Sequence, residues 1–162
     1  MLALKRILVP TDFSEASGAA TTYGIAMARA FNAQICLLHV EPRHDLEIMV
    51  ERELVVEKYL SEAAPARSQS NAAHELLAKL LSDDDQRDLR AEYVLRASGA
   101  GGPSAEIVRY AGERDIDLIV MGTHGRGFAA HVLMGSVAEH VVRKAPCPVL
   151  TVRSRPHPSP PR

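Results

Sequence analysis

Tryptophan is absent from this chain, and Phe, Trp and Tyr together make up only 4% of it. A core built here must therefore be aliphatic. Cysteine is nearly absent too. Cys36 and Cys147 are too few for a disulfide framework and form no CxxC pair for metal or redox chemistry. Each lies in or beside an apolar stretch, where a buried thiol is the simpler reading. No run approaches the roughly 18 apolar residues that a membrane-crossing helix needs. The N-terminus, "MLALKRILVPTD", meets Pro and Asp too soon for a secretory signal. A formal charge of −1 removes the electrostatic case for nucleic acid or an acidic membrane as partner. These absences lead us to expect a cytoplasmic protein.

What is present fits one domain. The chain has 162 residues, 46% hydrophobic and 24% charged, enough for a single sizeable core. Short apolar runs alternate with longer helical patterns. The runs are "RILVP" (6–10), "AQICLLHV" (33–40), the weaker "LRAEYVLRA" (89–97), "IDLIVMG" (116–122) and "CPVLTVR" (147–153). Runs without polar alternation suit strands covered on both faces, as in a parallel sheet.

The first helical pattern follows Ser14, a candidate N-cap. Ala16, Ala19, Ala20, Tyr23, Met27, Ala30 and Phe31 recur at three- and four-residue steps and predict its buried stripe. Gly18 and Gly24 weaken that helix unless small residues let it sit close to the sheet. Residues 45–63 and 71–83 also read as helical, with a break and a mobile segment expected near 61–70, around Pro65. A helix capped by Ser104 spans 104–115, and another spans 136–145 until "PCP" stops it. The tail, 154–162, is Pro-rich without an apolar face and reads as disordered beyond a 1–153 domain. Strands alternating with helices predict a single α/β domain with a doubly wound, five-stranded parallel sheet and helices on both faces. Ligands of such sheets bind at the carboxyl ends of strands, where the strand order reverses.

The fourth run leads into "MGTHGRGFAAHVLMGS" (121–136), with glycines at 122, 125, 127 and 135 and Ser136 opening a helix. Glycines let a backbone approach phosphates closely. "SVAE" fits a capping box, and the amides at that helix start form an anion site. Gly135 and Ser136 are expected to donate to a phosphate while Gly122 and Gly125 shape the opposite wall. The stretch is neither a Walker A loop nor GxGxxG. Spacing alone leaves open a plain alternative, a turn before a capped helix. Asp12, in "VPTDFS" at the end of the first run, can accept hydrogen bonds from ribose or adenine. It could equally cap the first helix, or do both.

Gly122-x2-Gly125-x9-Gly135-Ser136 resembles the signature of the universal stress protein family. "RILVPTDFS", "AQICLLHVEP", "GPSAEIVRYAGERDIDLIVMGTHGRG" and "GSVAEHVVRKAPCPVLTV" resemble its successive blocks, so the likeness covers nearly the whole chain. The resemblance implies a strand order of 3-2-1-4-5. It implies an adenine site at Pro10, Thr11, Asp12 and Val40. Ribose and phosphates would lie along Met121, Gly122, His124, Gly125, Arg126, Gly135, Ser136 and Val137. It further implies ATP, or its relatives AMP and ADP, as ligand, with Mg²⁺ arriving only with the nucleotide. Cys36 and Cys147 would sit on strands two and five, too far apart to bond. Homodimerisation is expected through the last strand, residues 147–153. "FAAHVLM" (128–134) has no hydroxyl or Lys, which leaves Arg126 and backbone donors to meet phosphate charge, although Arg126 also reads as a solvated loop residue.

His124, His131 and His140 match no helical metal-ligand spacing. His39 reads as a satisfied structural histidine. Catalysis of hydrolysis needs a water-positioning group and a magnesium site, and Asp12 is the only carboxylate the pattern places near the pocket. We therefore expect no catalytic residues and no resident metal. The expected function is a nucleotide-binding stress protein rather than an efficient enzyme. A dimeric interaction module with an empty pocket and a slow ATPase are the alternatives.

Overall fold

The computed structural model describes residues 3–41, 64–124 and 134–153, with residues 64–70 described as backbone only. In chain order the elements are β1 (Arg6–Pro10), α1 (Glu15–Phe31), β2 (Gln34–Glu41), α2 (Ala64–Ala78), α3 (Asp83–Asp88), β3 (Glu92–Ala97), α4 (Gly102–Glu113), β4 (Leu118–Gly122), α5 (Ser136–Lys144) and β5 (Val149–Val152). The strands form one parallel sheet in the order β3-β2-β1-β4-β5, as expected. Among the described residues, no helix is long and apolar enough to cross a membrane.

Side chains alternate across a strand, so each apolar run feeds two cores. Ile7, Val9, Ile35, Leu37, Leu118 and Val120 face one side, where α1 supplies Ala20 and Ala28 and α2 supplies Leu77. Leu8, Cys36, Leu38, Ile119 and Met121 face the other, against Ile107 and Tyr110 of α4 and Ala138 and Val141 of α5. This double covering explains why the runs lack polar alternation. Cys147 lies just ahead of β5 rather than on it, and both cysteines are free.

The buried stripe of α1 differs from the expected one. Ala16 and Ala20 are buried as anticipated and Ala19 and Met27 pack against the core partly buried, but the other fully buried positions are Ser17, Thr21, Gly24 and Ala28. Tyr23 and Phe31 are 54% and 39% exposed. The reason is distance. A Cβ added at Gly24 would lie 2.5 Å from Val9 Cγ2, so the helix rests too close to β1 for any bulky residue to intervene. The largest side chains of the helix turn outward instead.

Several boundaries also differ. α2 is helical through "ARSQS", part of the segment expected to be mobile, while the residues before Ala64 lie outside the described ones. The patterned segment 45–63 and the tail 154–162 lie outside the described residues. The fourth helix begins before Ser104, with Gly101 as N-cap and Pro103 in its first turn. Gly102 enters it at φ 69, which favours glycine. β3 starts at Glu92 because Leu89 closes the short helix α3 and Arg90 turns at φ 49. Ser14, by contrast, caps α1 as expected, accepting from Ser17 N–H at 3.3 Å.

The two helical glycines of α1 should respond oppositely to Ala. At Gly18 nothing stands within 4 Å of an added Cβ, so Gly18→Ala should gain up to about 1 kcal/mol of helix propensity. Gly24→Ala should lose about 1–3 kcal/mol to overpacking against Val9, outweighing the same gain. Urea midpoints of the two variants check the opposite signs.

Candidate nucleotide site at the carboxyl edge of the sheet

β1 and β4 run side by side, with Ile7 paired to Leu118 and Leu8 to Ile119. β1 also pairs with β2 on its other flank. The order therefore reverses between β1 and β4, and the segments leaving those two strands emerge at one edge. That edge collects Pro10, Thr11 and Asp12 from β1, Val40 from β2, and Met121, Gly122 and His124 from β4.

The turn after β1 is built by its own polar side chains. Thr11 is buried, and its N–H donates to Leu38 O at 2.9 Å, extending the sheet by one bond. Thr11 Oγ1 accepts from Phe13 N–H at 3.0 Å and donates to Ser17 Oγ at 3.1 Å. Asp12 Oδ1 accepts from Ser14 N–H at 3.0 Å, an Asx turn. Asp12 thus braces the N-cap residue but does not cap α1 itself, since Ser14 holds that position. Between these bonds Phe13 sits at φ 62, a left-handed conformation uncommon for a bulky residue. His39 fastens the turn from β2. Its Nδ1 lies 2.7 Å from Thr11 O, and because a carbonyl only accepts, Nδ1 carries the hydrogen. The His39 and Phe13 rings also pack with centroids 4.6 Å apart. His39 is satisfied, as expected, and it also fixes the turn that presents Asp12.

After β4 the organising residue is one the motif passes over. Thr123 is 4% exposed. Its N–H donates to Val152 O at 2.9 Å, its carbonyl accepts from Gly135 N–H at 2.8 Å, and its hydroxyl lies 2.9 Å from His124 Nδ1. One residue thereby ties β4 to β5 and to the start of α5. As a threonine between motif positions, it offered no pattern by which to find it.

The start of α5 differs from the expected capping box. Gly135 is the N-cap and makes no side-chain cap, while Ser136 is the first helical residue. The bond from Gly135 N–H to Thr123 O pins the chain one residue earlier than the "SVAE" pattern suggests. Gly135 N–H is consequently committed and is not a free donor, contrary to expectation. The first intrahelical bond runs from Glu139 N–H to Gly135 O at 2.9 Å. The amides of Ser136, Val137 and Ala138 precede it and have no intrahelical acceptor. They carry the positive end of the helix dipole. Ser136 and Val137 are exposed, so these two positions reach the surface.

The motif glycines have different physical reasons. A Cβ at Gly122 would stand 2.9 Å from the carbonyl carbon of Ala16 and 3.0 Å from its Cβ. Glycine there allows α1 to seat on β4. At Gly135 the nearest described atom to an added Cβ is Thr123 O at 3.4 Å, and φ is −72°. Neither packing among the described residues nor backbone conformation requires glycine at that position. Gly125, Arg126 and His131 lie outside the described residues.

The universal stress protein family model matches residues 3–153. The chain belongs to the universal stress protein family. It is 30% identical over 159 residues to the universal stress protein MJ0577 of Methanocaldococcus jannaschii, covering 93% of this chain and 96% of that protein. The solved structure of MJ0577 superposes with a TM-score of 0.75 at 26% identity, covering 96% of this chain and all of that one. Two further solved universal stress proteins share the fold at 22% identity. One, in complex with cAMP, has a TM-score of 0.59 and covers 95% of this chain and 100% of its own. The other, from Archaeoglobus fulgidus in complex with dAMP, has a TM-score of 0.55 and covers 94% and 99%.

The two described motif glycines of this universal stress protein should separate cleanly. Gly122→Ala should destabilise by about 1–3 kcal/mol as α1 is pushed from the sheet. Gly135→Ala should cost no more than about 1 kcal/mol, the difference between Gly and Ala at an N-cap. Thermal unfolding of both variants distinguishes the two roles.

Proposed function

We propose that this universal stress protein binds ATP, or a close adenine relative, at the carboxyl edge of β1 and β4. The observation that carries the reading is the start of α5. Its amides at Ser136 and Val137 lack intrahelical acceptors, carry positive dipole charge, and follow a glycine that neither its backbone angles nor the described residues around it require. Such a helix start suits a phosphate. Across the reversal point, the Asp12 turn supplies an anchored carboxylate for the ribose or base, with Pro10, Thr11 and Val40 beside it. Met121, Gly122 and His124 line the β4 side, and Gly125 and Arg126 are assigned to the phosphates by the family motif alone. Relatives solved with dAMP and cAMP support an adenine nucleotide as the ligand class. Mg²⁺ would accompany a triphosphate, held by phosphate oxygens and water.

The role is regulatory rather than that of an efficient enzyme, exercised in the cytoplasm. Nucleotide occupancy biases self-association through β5, which closes the sheet and pairs with β4 on one side. Thr123 provides the mechanical link, since its amide bonds Val152 of that edge strand and its carbonyl holds the N-cap of the phosphate-binding helix.

Isothermal titration with ATP and MgATP tests the binding. We expect saturable binding at submillimolar ligand, weakened roughly tenfold or more by Gly135→Ala, whose Cβ would occupy the approach to the phosphates. Asp12→Asn keeps an acceptor for Ser14 while removing the charge, and it should weaken binding by a similar factor. Absence of heat at millimolar nucleotide would remove the proposal. Sedimentation with and without ATP reads the coupling to self-association.

A further inference from the structure

The amino end of the sheet carries a concavity, opposite the proposed nucleotide edge. A hollow of about 620 Å³ opens among residues that include Lys5, Arg6, Phe31, Asn32, Gln34 and Arg90. β1 separates it from the carboxyl edge by roughly 15 Å, five residues of strand rise. Its volume falls within the range of small-molecule sites.

Charge is concentrated there. Lys5, Arg6 and Arg90 line the hollow, and among the described residues no acidic one does. Among the described residues none of the three forms an ion pair. The nearby Asp117 carboxylate takes the backbone amides of Lys5 and Arg6, at 2.7 and 2.9 Å, rather than their side chains. Arg6 gives one guanidinium donor to Arg114 O at 2.8 Å, and Arg90 gives one to Asn32 O at 3.1 Å. The remaining fork donors stay available for a planar or tetrahedral anion.

The walls are braced. Asn32 and Arg90 both turn through left-handed backbone, at φ 52 and φ 49. Arg90 clasps both neighbours there, its guanidinium donating to Asn32 O and its carbonyl accepting from Gln34 Nε2 at 3.2 Å. The α1–β2 and α3–β3 turns are thus locked against each other beneath the hollow. Phe31, turned outward by the close seat of α1, adds an apolar wall to a cationic pocket.

We propose that this hollow is a second ligand site, selective for a small organic phosphate with an aromatic body. Its phosphate would sit among Lys5, Arg6 and Arg90, and its ring would lie against Phe31. The site is distinct from the carboxyl edge and does not depend on nucleotide binding there.

Titration of the full chain with phenyl phosphate, followed by amide resonances, tests the inference. Saturable shifts at Lys5, Arg6, Asn32 and Gln34 are expected, with binding weakened at least about tenfold by the Lys5→Gln/Arg90→Asn double variant. Phe31→Ala, an exposed substitution that leaves the clasp intact, should reduce phenyl phosphate to the affinity of inorganic phosphate. Non-saturating shifts, shifts confined to Thr123 and Ser136–Val137, or affinities unchanged in both variants would overturn the proposal. So would equal binding of inorganic and phenyl phosphate to the unaltered protein.

Discussion

The close seat of α1 on the sheet is the constraint from which the rest follows. Two missing Cβ atoms make it possible, Gly24 over Val9 and Gly122 beneath Ala16. Dense aliphatic packing then continues to Ala20 and Ala28. Because the first turn of α1 lies against β4, the segment joining β1 to the helix must turn within four residues, Thr11 to Ser14. That tight turn carries Asp12 to the point where the strand order reverses. A helix held farther away by larger side chains would leave room for a longer connection and a less defined carboxylate. Packing thus positions the candidate site before any polar contact does.

Polar bonds then secure what packing has positioned. Phe13 in the left-handed region is unfavourable by order 1 kcal/mol, yet four hydrogen bonds from Thr11, Asp12 and His39 hold the turn around it. Each is worth only about 1 kcal/mol net, so it is the four together that exceed the strain. The opposite wall works through Thr123, whose two backbone bonds reach separate elements. Both walls are therefore attached to buried strand ends rather than to free loops. Such anchoring would lower the ordering cost of binding at the proposed site.

The sheet was legible because burial on both faces removes polar alternation from its strands, and the runs around Leu8, Leu37 and Ile119 carry that signature directly. The sheet order itself came through the family likeness. On α1 hydrophobicity favours Tyr23 and Phe31, whereas the fully buried positions hold only Ala, Ser, Thr and Gly. Size, which periodicity ignores, decided the orientation. The short helix α3 escaped notice, although Ser82 with three following aspartates is an N-cap with acidic residues placed for the dipole. The capping box failed for a non-local reason. Nothing in "SVAE" reports that Thr123 O will hold the preceding amide. His39 was legible as satisfied, but its partner, a backbone carbonyl 28 residues away, was not.

Within the site the same limit applies to the motif itself. Its described glycines look alike in sequence but answer to different forces. Gly122 belongs to helix packing, since a Cβ there would collide with backbone that cannot easily yield. Gly135 has ordinary backbone angles and room for a methyl group beside Thr123. At an N-cap Gly is preferred over Ala by no more than about 1 kcal/mol, so local stability gives the position only a weak preference. Glycine there also leaves no Cβ beside the first amides of α5. Gly135 and the amides behind it would meet the proposed ligand, while Gly122 brings α1 and its Asp12 turn to the same edge.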